Sequence, residues 1–376
     1  MLLTEYEGKS LLRDAGVPVS DGFLVRTADA ITRRKLTYPV AVKAQVASAG
    51  RGKAGGVVRA ATPAKARSAA RRILAMCFGA ERPAAVLIEP WLVIKRELYL
   101  CVTVDPAAQG YVVLYAPRGG IDIERGKPPV RYDVGPARDF RAYRLREILR
   151  DIEPDASVRE KVIALARRLV ELASTRDCVT VEINPLAQLD DGSLIAADAK
   201  IVRDEYAAFR APDIAASIAS ATRQQPRPIA RALAGDLMLV WLDGEVGLIS
   251  GGAGMTMATM DLIGDAGGRP ACFLDCSNNP TPAGYRLAFD LLDQAAQVRV
   301  ILVSIFGGLT QMDRVARVMK DIMQQRRARK PVVFRLNGTN AKQVADIFAG
   351  TGLSNHATLE SAVAESVAIT RKAGRR

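Results

Sequence analysis

Histidine is almost missing from this chain: of 376 residues only one carries an imidazole. That residue, His356, stands in Ser354-Asn355-His356-Ala357-Thr358 just ahead of an expected helix, a surface or capping position rather than a catalytic one. Cysteine is sparse and unpatterned. Cys77, Cys101, Cys178, Cys272 and Cys276 are odd in number and form no Cys-x-x-Cys pair, and Cys272 and Cys276 flank an expected strand with no histidine nearby, so reduced core thiols are expected rather than metal ligands. Aromatic residues make up only 5% of the chain, and its arginines are scattered over helices without interleaved aromatics, which argues against a nucleic-acid partner. Long apolar runs are absent too. The stretch 300–305 falls far short of the roughly 20 residues needed to span a bilayer, and the N-terminus lacks a basic segment ahead of an apolar one, so no membrane partner is expected and the expected location is cytoplasmic. Acidic residues are in deficit, 40 against 53 basic, for a net charge of +13. That balance favours anionic partners such as nucleotides, coenzyme A or carboxylates.

What is present is enough apolar material, 49% of residues, for two or three domains. The chemistry concentrates in residues 42–57, Val-Lys-Ala-Gln-Val-Ala-Ser-Ala-Gly-Arg-Gly-Lys-Ala-Gly-Gly-Val. Alternation over 40–46 places Val40, Val42 and Val46 on one face and aims Lys43 and Gln45 from the other. Gly50, Gly52, Gly55 and Gly56 let backbone N–H groups approach an anion, and Arg51 and Lys53 add cationic donors, so a polyphosphate is the expected guest. A Walker loop would need glycine at position 47 and Ser or Thr after Lys53, where the chain has Ala47 and Ala54. The dinucleotide spelling of residues 50–55 is accidental, because Val57-Val58 continues as strand and no acid follows until Glu81.

This strand, basic loop and returning strand resemble the nucleotide-covering lobe of ATP-grasp enzymes, and in detail the β-subunit family of succinyl-CoA synthetase, which runs Val-Lys-x-Gln-Val and then Gly-Arg-Gly-Lys-Ala-Gly-Gly-Val. The opening helix, with Glu5-Tyr6 and Lys9, is similar to the family's start. The resemblance implies nucleotide contacts at Lys43, Gly50, Arg51, Gly52, Glu89 and Glu97. Glu89 ends a buried strand before Pro90-Trp91, where an ATP-grasp hinge would hold the base, and Glu97 opens an alternating, half-buried strand over 97–104. Leu92 stands where the family often has a small hydroxyl residue. Arg118-Gly119-Gly120-Ile121-Asp122-Ile123-Glu124 resembles the family's Gly-Gly-x-x-Ile-Glu segment, with Arg118 in place of an acid.

A hairpin signal, Asp190-Asp191-Gly192, separates two apolar strands. Pairing outward from Asp191 sets Asn184 opposite Asp198, seven positions away on either side, and facing Cβ atoms in such a ladder lie about 4.5 to 5.5 Å apart. An amide oxygen and a carboxylate at that separation suit Mg²⁺, which also takes phosphate oxygens and waters. Pro185 cannot donate to the ladder and favours an edge or bulge there. The family's metal hairpin is similar at both ligand positions.

The chain turns polar over 217–234, the expected boundary between an ATP-grasp part, residues 1–225 with a glycine-loop lobe of about 20–105, and a second domain over 236–376. The second part alternates apolar strands with capped helices, an α/β, doubly wound, flavodoxin-like sheet. Its strand C-termini carry the loops 250–254, 275–279 and 306–310, where helix N-termini would receive a carboxylate or phosphate. These loops resemble the family's CoA-ligase domain, which implies substrate contacts at Gly251, Gly308, Leu309 and Thr310. They also depart from it. Gly251 replaces an asparagine, Ser277-Asn278-Asn279 a glycine-rich segment and Ser304 another asparagine, while Gln311 stands near an expected arginine, so succinate itself is expected to be a poor substrate.

The resemblance implies the nucleotide-binding β subunit of an ADP-forming carboxylate–CoA ligase that uses ATP or GTP with Mg²⁺, takes coenzyme A as co-substrate mainly on its partner, and passes a phosphoryl group to a histidine of an α subunit. Another dicarboxylate such as malate, a self-contained carboxylate–amine ligase within 1–225, and a non-catalytic regulatory subunit are the alternatives.

Overall fold

A computed structural model describes residues 1–33, 35–47, 51–79, 81–120, 127–327 and 330–373. The chain divides into two compact units, Met1–Ala216 and Ser217–Arg376. Among the described residues no helix is long and apolar enough to cross a membrane.

The first unit opens with helix α1 (Glu5–Asp14), started by a reciprocal capping box between Thr4 and Glu7. A four-stranded sheet follows from β1 (Phe23–Val25), β2 (Val40–Ala44), β3 (Val57–Ala60) and β4 (Val86–Pro90), in the order β1-β4-β2-β3. Helix α2 (Pro63–Ala75), capped by Thr62 with proline in its first turn, packs its alanines and Ile73 against that sheet. The second sheet comprises β5 (Arg96–Asp105), β6 (Gly110–Ala116), β7 (Val130–Gly135), β8 (Cys178–Gln188), β9 (Leu194–Ala196) and β10 (Lys200–Arg203). Its strand order is β10-β8-β5-β6-β7, with β9 also on β8. Helices α3 (Ala142–Leu149) and α4 (Ala156–Thr175), separated near Glu153-Pro154, cover one face.

The facing of β2 is as expected, with Val40, Val42 and Val46 in one core cluster and Lys43 opening into a cavity on the other face, although the whole strand is buried. One periodicity reading is corrected: residues 98–102 are buried without interruption rather than half-buried in alternation. Leu98, Leu100 and Val102 pack into one core cluster and Tyr99 and Cys101 into another, and a strand covered on both faces loses the period-two pattern.

The polar stretch at 217–234 is helical, formed by the end of α5 (Pro212–Gln224) and by α6 (Arg227–Ala234). The second unit then runs β11 (Met238–Trp241), β12 (Val246–Ser250), α7 (Ala253–Asp265), β13 (Cys272–Asp275), α8 (Pro282–Gln294), β14 (Val300–Gly307), α9 (Met312–Gln325), β15 (Val332–Gly338), α10 (Val344–Phe348) and α11 (Leu359–Ala373). The sheet order is β11-β13-β12-β14-β15. Strands β12 to β15 are parallel, and β11, which periodicity did not reveal, is an antiparallel edge. Helices α7 and α11 pack on one face and α8 and α9 on the other, so the sheet is doubly wound. Counted from β12, the parallel strands lie in the order 2-1-3-4, which puts the switch point between β12 and β14, at whose C-terminal ends ligands of such folds bind.

Candidate functional site

The first unit holds a cavity of about 840 Å³ into which Lys43, Arg51, Gly52, Glu89, Glu97, Asn184 and Asp198 all open. A volume of that size accommodates a ligand as large as a nucleotide. Gly50, and residues 121–124 of the glycine segment, lie outside the described residues.

Lys43 comes up from β2 into a set of acids that strand periodicity did not reveal. Its Nζ donates to Glu5 Oε1 at 2.8 Å and to the Ala197 carbonyl at 2.7 Å, and pairs with Glu89 Oε2 at 2.8 Å. Lys9 reaches the same acids, 2.9 Å from Glu5 and 2.6 Å from Glu89, and also donates to Ala197 O at 2.9 Å. With three acceptors around each ammonium, a phosphate approaching Lys43 must displace one of them. Glu5 is fully buried and also accepts from Arg51 Nη2 at 2.7 Å. Burial by itself pushes the Glu5 carboxyl up, but Lys43, Lys9 and Arg51 outweigh it and hold it at about 2. Burial likewise pulls the Lys43 ammonium down, and Glu5, Glu89 and Asp198 more than reverse this.

Arg51 also donates to Asp198 Oδ1 at 2.6 Å. The Asp198 carboxyl is pushed up by its surroundings and by Glu5, against the pull of Arg51 and the lysines. Solvent tempers that push, since 39% of the side chain is exposed. Lys53 is exposed at the cavity mouth.

The hairpin register follows the arithmetic of the sequence. Leu186 pairs with Ala196 on one side and Glu182 with Lys200 on the other, so Asn184 and Asp198 are register partners in the gap between β9 and β10. The ladder is interrupted there, next to Pro185, and Pro185 O accepts from Ala197 N at 3.1 Å. Asn184 Oδ1 accepts from Gly120 N at 2.6 Å, and Glu97 O accepts from Gly119 N at 2.7 Å. Gly120 must be glycine: its φ is +88° and a Cβ there would fall 2.2 Å from Glu97 Oε2. Among the described residues no cluster of three or more His, Cys, Asp or Glu side chains could hold a metal. One amide oxygen and one carboxylate are nonetheless the hard donors with which Mg²⁺ is held beside phosphate oxygens and waters, so these residues fit the ion.

In the second unit Gly251 directly follows β12 and residues 308–310 follow β14, on the two sides of the switch point. Asp275 orients the first loop, its Oδ1 accepting from Gly252 N and Ser277 N at 2.8 Å each. The N-terminus of α7 has no side-chain cap, its N-cap being Gly252 at φ +93°, so its first N–H groups remain available to an anion. Thr339 Oγ1 donates to Gly308 O at 2.6 Å, while Leu309 is 99% exposed. Arg335 stands in register with Ser304, its guanidinium 5.9 Å from the Phe306 ring centroid. Its Nε and Nη1 are buried with no hydrogen-bond partner among the described residues. His356 is held at the surface between Ser361 Oγ at 3.0 Å and Glu365 Oε2 at 2.5 Å. All five thiols are free, four buried and Cys77 exposed.

Glu5, Asp275 and Arg335 thus join the candidate residues. The sequence signals were an acid and a lysine at i and i+4 on the opening helix for Glu5, an Asp-x-Ser turn for Asp275, and for Arg335 a single charge interrupting an apolar strand.

A family model described as the ATP-grasp domain matches residues 2–188, and one described as CoA-ligase matches residues 249–369. The chain is 35% identical over 382 residues to the ADP-forming succinate–CoA ligase subunit beta of Desulfurococcus amylolyticus, with 100% of each chain covered. It is 36% identical over 375 residues to the protein of the same name in Natronomonas pharaonis, with 98% of each covered. Among solved structures, its fold is similar to that of ATP citrate lyase from Methanothrix soehngenii in complex with citrate and coenzyme A. The TM-score is 0.70 at 18% identity, covering 98% of this chain and 99% of that one.

Proposed function

The chain belongs to the succinate–CoA ligase β-subunit family, and from that membership we propose that it is the nucleotide-binding subunit of an ADP-forming carboxylate–CoA ligase working with an α subunit. The observation that carries this reading is the convergence, in one cavity, of a lysine and an arginine with an amide–carboxylate pair suited to a divalent ion. Arg51, Gly52 and Lys53 would receive nucleotide phosphates, and Lys43 would reach them on exchanging one of its present acceptors. Glu97, whose backbone carbonyl accepts from Gly119 N, would face the rest of the nucleotide. Asn184 and Asp198 would hold Mg²⁺, which neutralises phosphate charge when bound.

The family reaction implies that the terminal phosphoryl group passes to a histidine of the α subunit and then to the acid, whose acyl phosphate is opened by the thiol of coenzyme A. The products are acyl-CoA, the nucleoside diphosphate and phosphate. The single histidine of this chain, His356, is engaged by Ser361 and Glu365, which favours a carrier on the α subunit. The acid would enter at the C-terminal edge of the parallel strands of the second unit, where the open N-terminus of α7 and the unpartnered donors of Arg335 both favour a carboxylate.

Its side chains favour an acid other than succinate. A Cβ added at Gly251 would meet only Ile305, at 3.8 Å, so a bulkier or more substituted dicarboxylate such as malate has room and the asparagine amide is missing. The test is kcat/KM for succinate and several substituted dicarboxylates, measured with a cognate α subunit for wild type and Gly251→Asn. We expect succinate to be poor in wild type and improved in the variant by about tenfold or more, the worth of a hydrogen bond to a charged group. Preference for succinate in wild type with no gain in Gly251→Asn would reject an altered acid. No acid-dependent release of ADP at all would reject catalysis in favour of a regulatory subunit.

A further inference from the structure

Arg51 sits between two carboxylates, and only one of them belongs to the candidate metal pair. Its Nη2 lies 2.7 Å from Glu5 Oε2 and 2.6 Å from Asp198 Oδ1. The Glu5 carboxylate cannot follow Arg51 if it leaves. It is fully buried, and its other oxygen is held by Lys9 at 2.9 Å and Lys43 at 2.8 Å. Asp198 is the accessible member of the pair and carries its cationic contact on the same oxygen that accepts from Ala199 N at 2.7 Å. A guanidinium and a divalent cation repel each other and seek the same carboxylate lone pairs, so Arg51 and an ion cannot both be close to Asp198 without cost.

We propose that Glu5 is a positioning residue that shares Arg51 with Asp198 and so holds the guanidinium partly off that carboxylate, so that Arg51 and the divalent ion are alternative partners of Asp198 and entry of the ion with its nucleotide frees Arg51 for the phosphates. The inference rests on the reading of Asn184 and Asp198 as metal ligands. It gives the first helix a part in nucleotide use: α1, through Glu5, sets how strongly the loop arginine competes with the ion. The same arrangement spares Asp198 an unpaired charge when no cation is beside it.

The experiment measures Mn²⁺ binding to the full chain without nucleotide, by electron paramagnetic resonance, and Mg-ADP binding by calorimetry, in wild type, Arg51→Gln, Glu5→Gln, the double variant and Asp198→Ala. Arg51→Gln is expected to bind Mn²⁺ about tenfold or more tightly than wild type, the worth of one charge-assisted contact removed from competition, and Mg-ADP more weakly. Effects of opposite sign on ion and nucleotide are what a merely structural arginine would not produce. Glu5→Gln alone is expected to weaken Mn²⁺ binding, as Arg51 leans wholly on Asp198, and that loss is expected to shrink in the double variant. Mn²⁺ binding in Arg51→Gln that is unchanged or weaker would overturn the proposal while leaving the metal pair standing, provided Asp198→Ala abolishes ion binding. Undiminished Mn²⁺ binding in Asp198→Ala would instead remove the metal assignment, and the proposal with it.

Discussion

Glu5 makes three cationic contacts from a fully buried position, to Lys9, Lys43 and Arg51. Burying a carboxylate is costly unless it is paired, and removing one partner of a buried set leaves the others uncompensated. The carboxyl is held at about 2 against an ordinary 4.5. Because the folded value is depressed, its contribution to stability is complete above about pH 4.5 and is lost as the pH falls toward about 2. The shift corresponds to roughly 3 kcal/mol. Glu5→Gln should therefore lower stability by an amount of that order near neutral pH, and by progressively less as the pH drops below about 4. Urea unfolding of both proteins across that range tests it, and a difference that does not narrow in acid would contradict the assignment of charge to Glu5.

The hairpin is the element on which nucleotide use should depend without the fold depending on it. The β8–β9 and β8–β10 ladders lie on either side of the gap that holds Asn184 and Asp198, and neither ladder uses the Asp198 side chain. Asp198→Ala is expected to leave the circular dichroism spectrum and the unfolding midpoint close to wild type while weakening Mg-ADP by about tenfold to a hundredfold, the range for loss of a contact to a charged group. Calorimetric titration of both proteins decides. Equal affinity would remove Asp198 from the metal site, and a collapsed fold would show that the Arg51–Asp198 pair is structural. Gly120, in the segment after β6, touches this hairpin through its N–H, which donates to Asn184 Oδ1.

For the whole molecule, the question is where the phosphoryl group resides between nucleotide and acid. Labelled γ-phosphate from ATP, supplied to this chain together with an α subunit, is expected on the α subunit and not on this chain. His356→Ala is expected to turn over like wild type. Label on this chain that disappears in His356→Ala would reverse the assignment and make the surface histidine a carrier.

Periodicity, turn chemistry and caps act over a few residues to about twenty, and what they govern was readable from the sequence alone. The strand, loop and returning strand around Lys43, the helix caps at Thr4 and Thr62, the alternation of strands with helices in the second unit, and the facing of Asn184 and Asp198 all follow from local spacing. Tertiary structure decided the rest, because contacts between distant segments depend on how finished elements pack. Lys43 meets Glu5 across 38 positions and the Ala197 carbonyl across 154, and nothing in a strand pattern records such partners. Whether β2 and β5 alternate or lie wholly buried was set by what covers their second faces. Edge strand β11 forms because β13 presents an open side to a short apolar segment, and Arg335 became a candidate only when packing buried two of its donors beside Ser304 and Phe306.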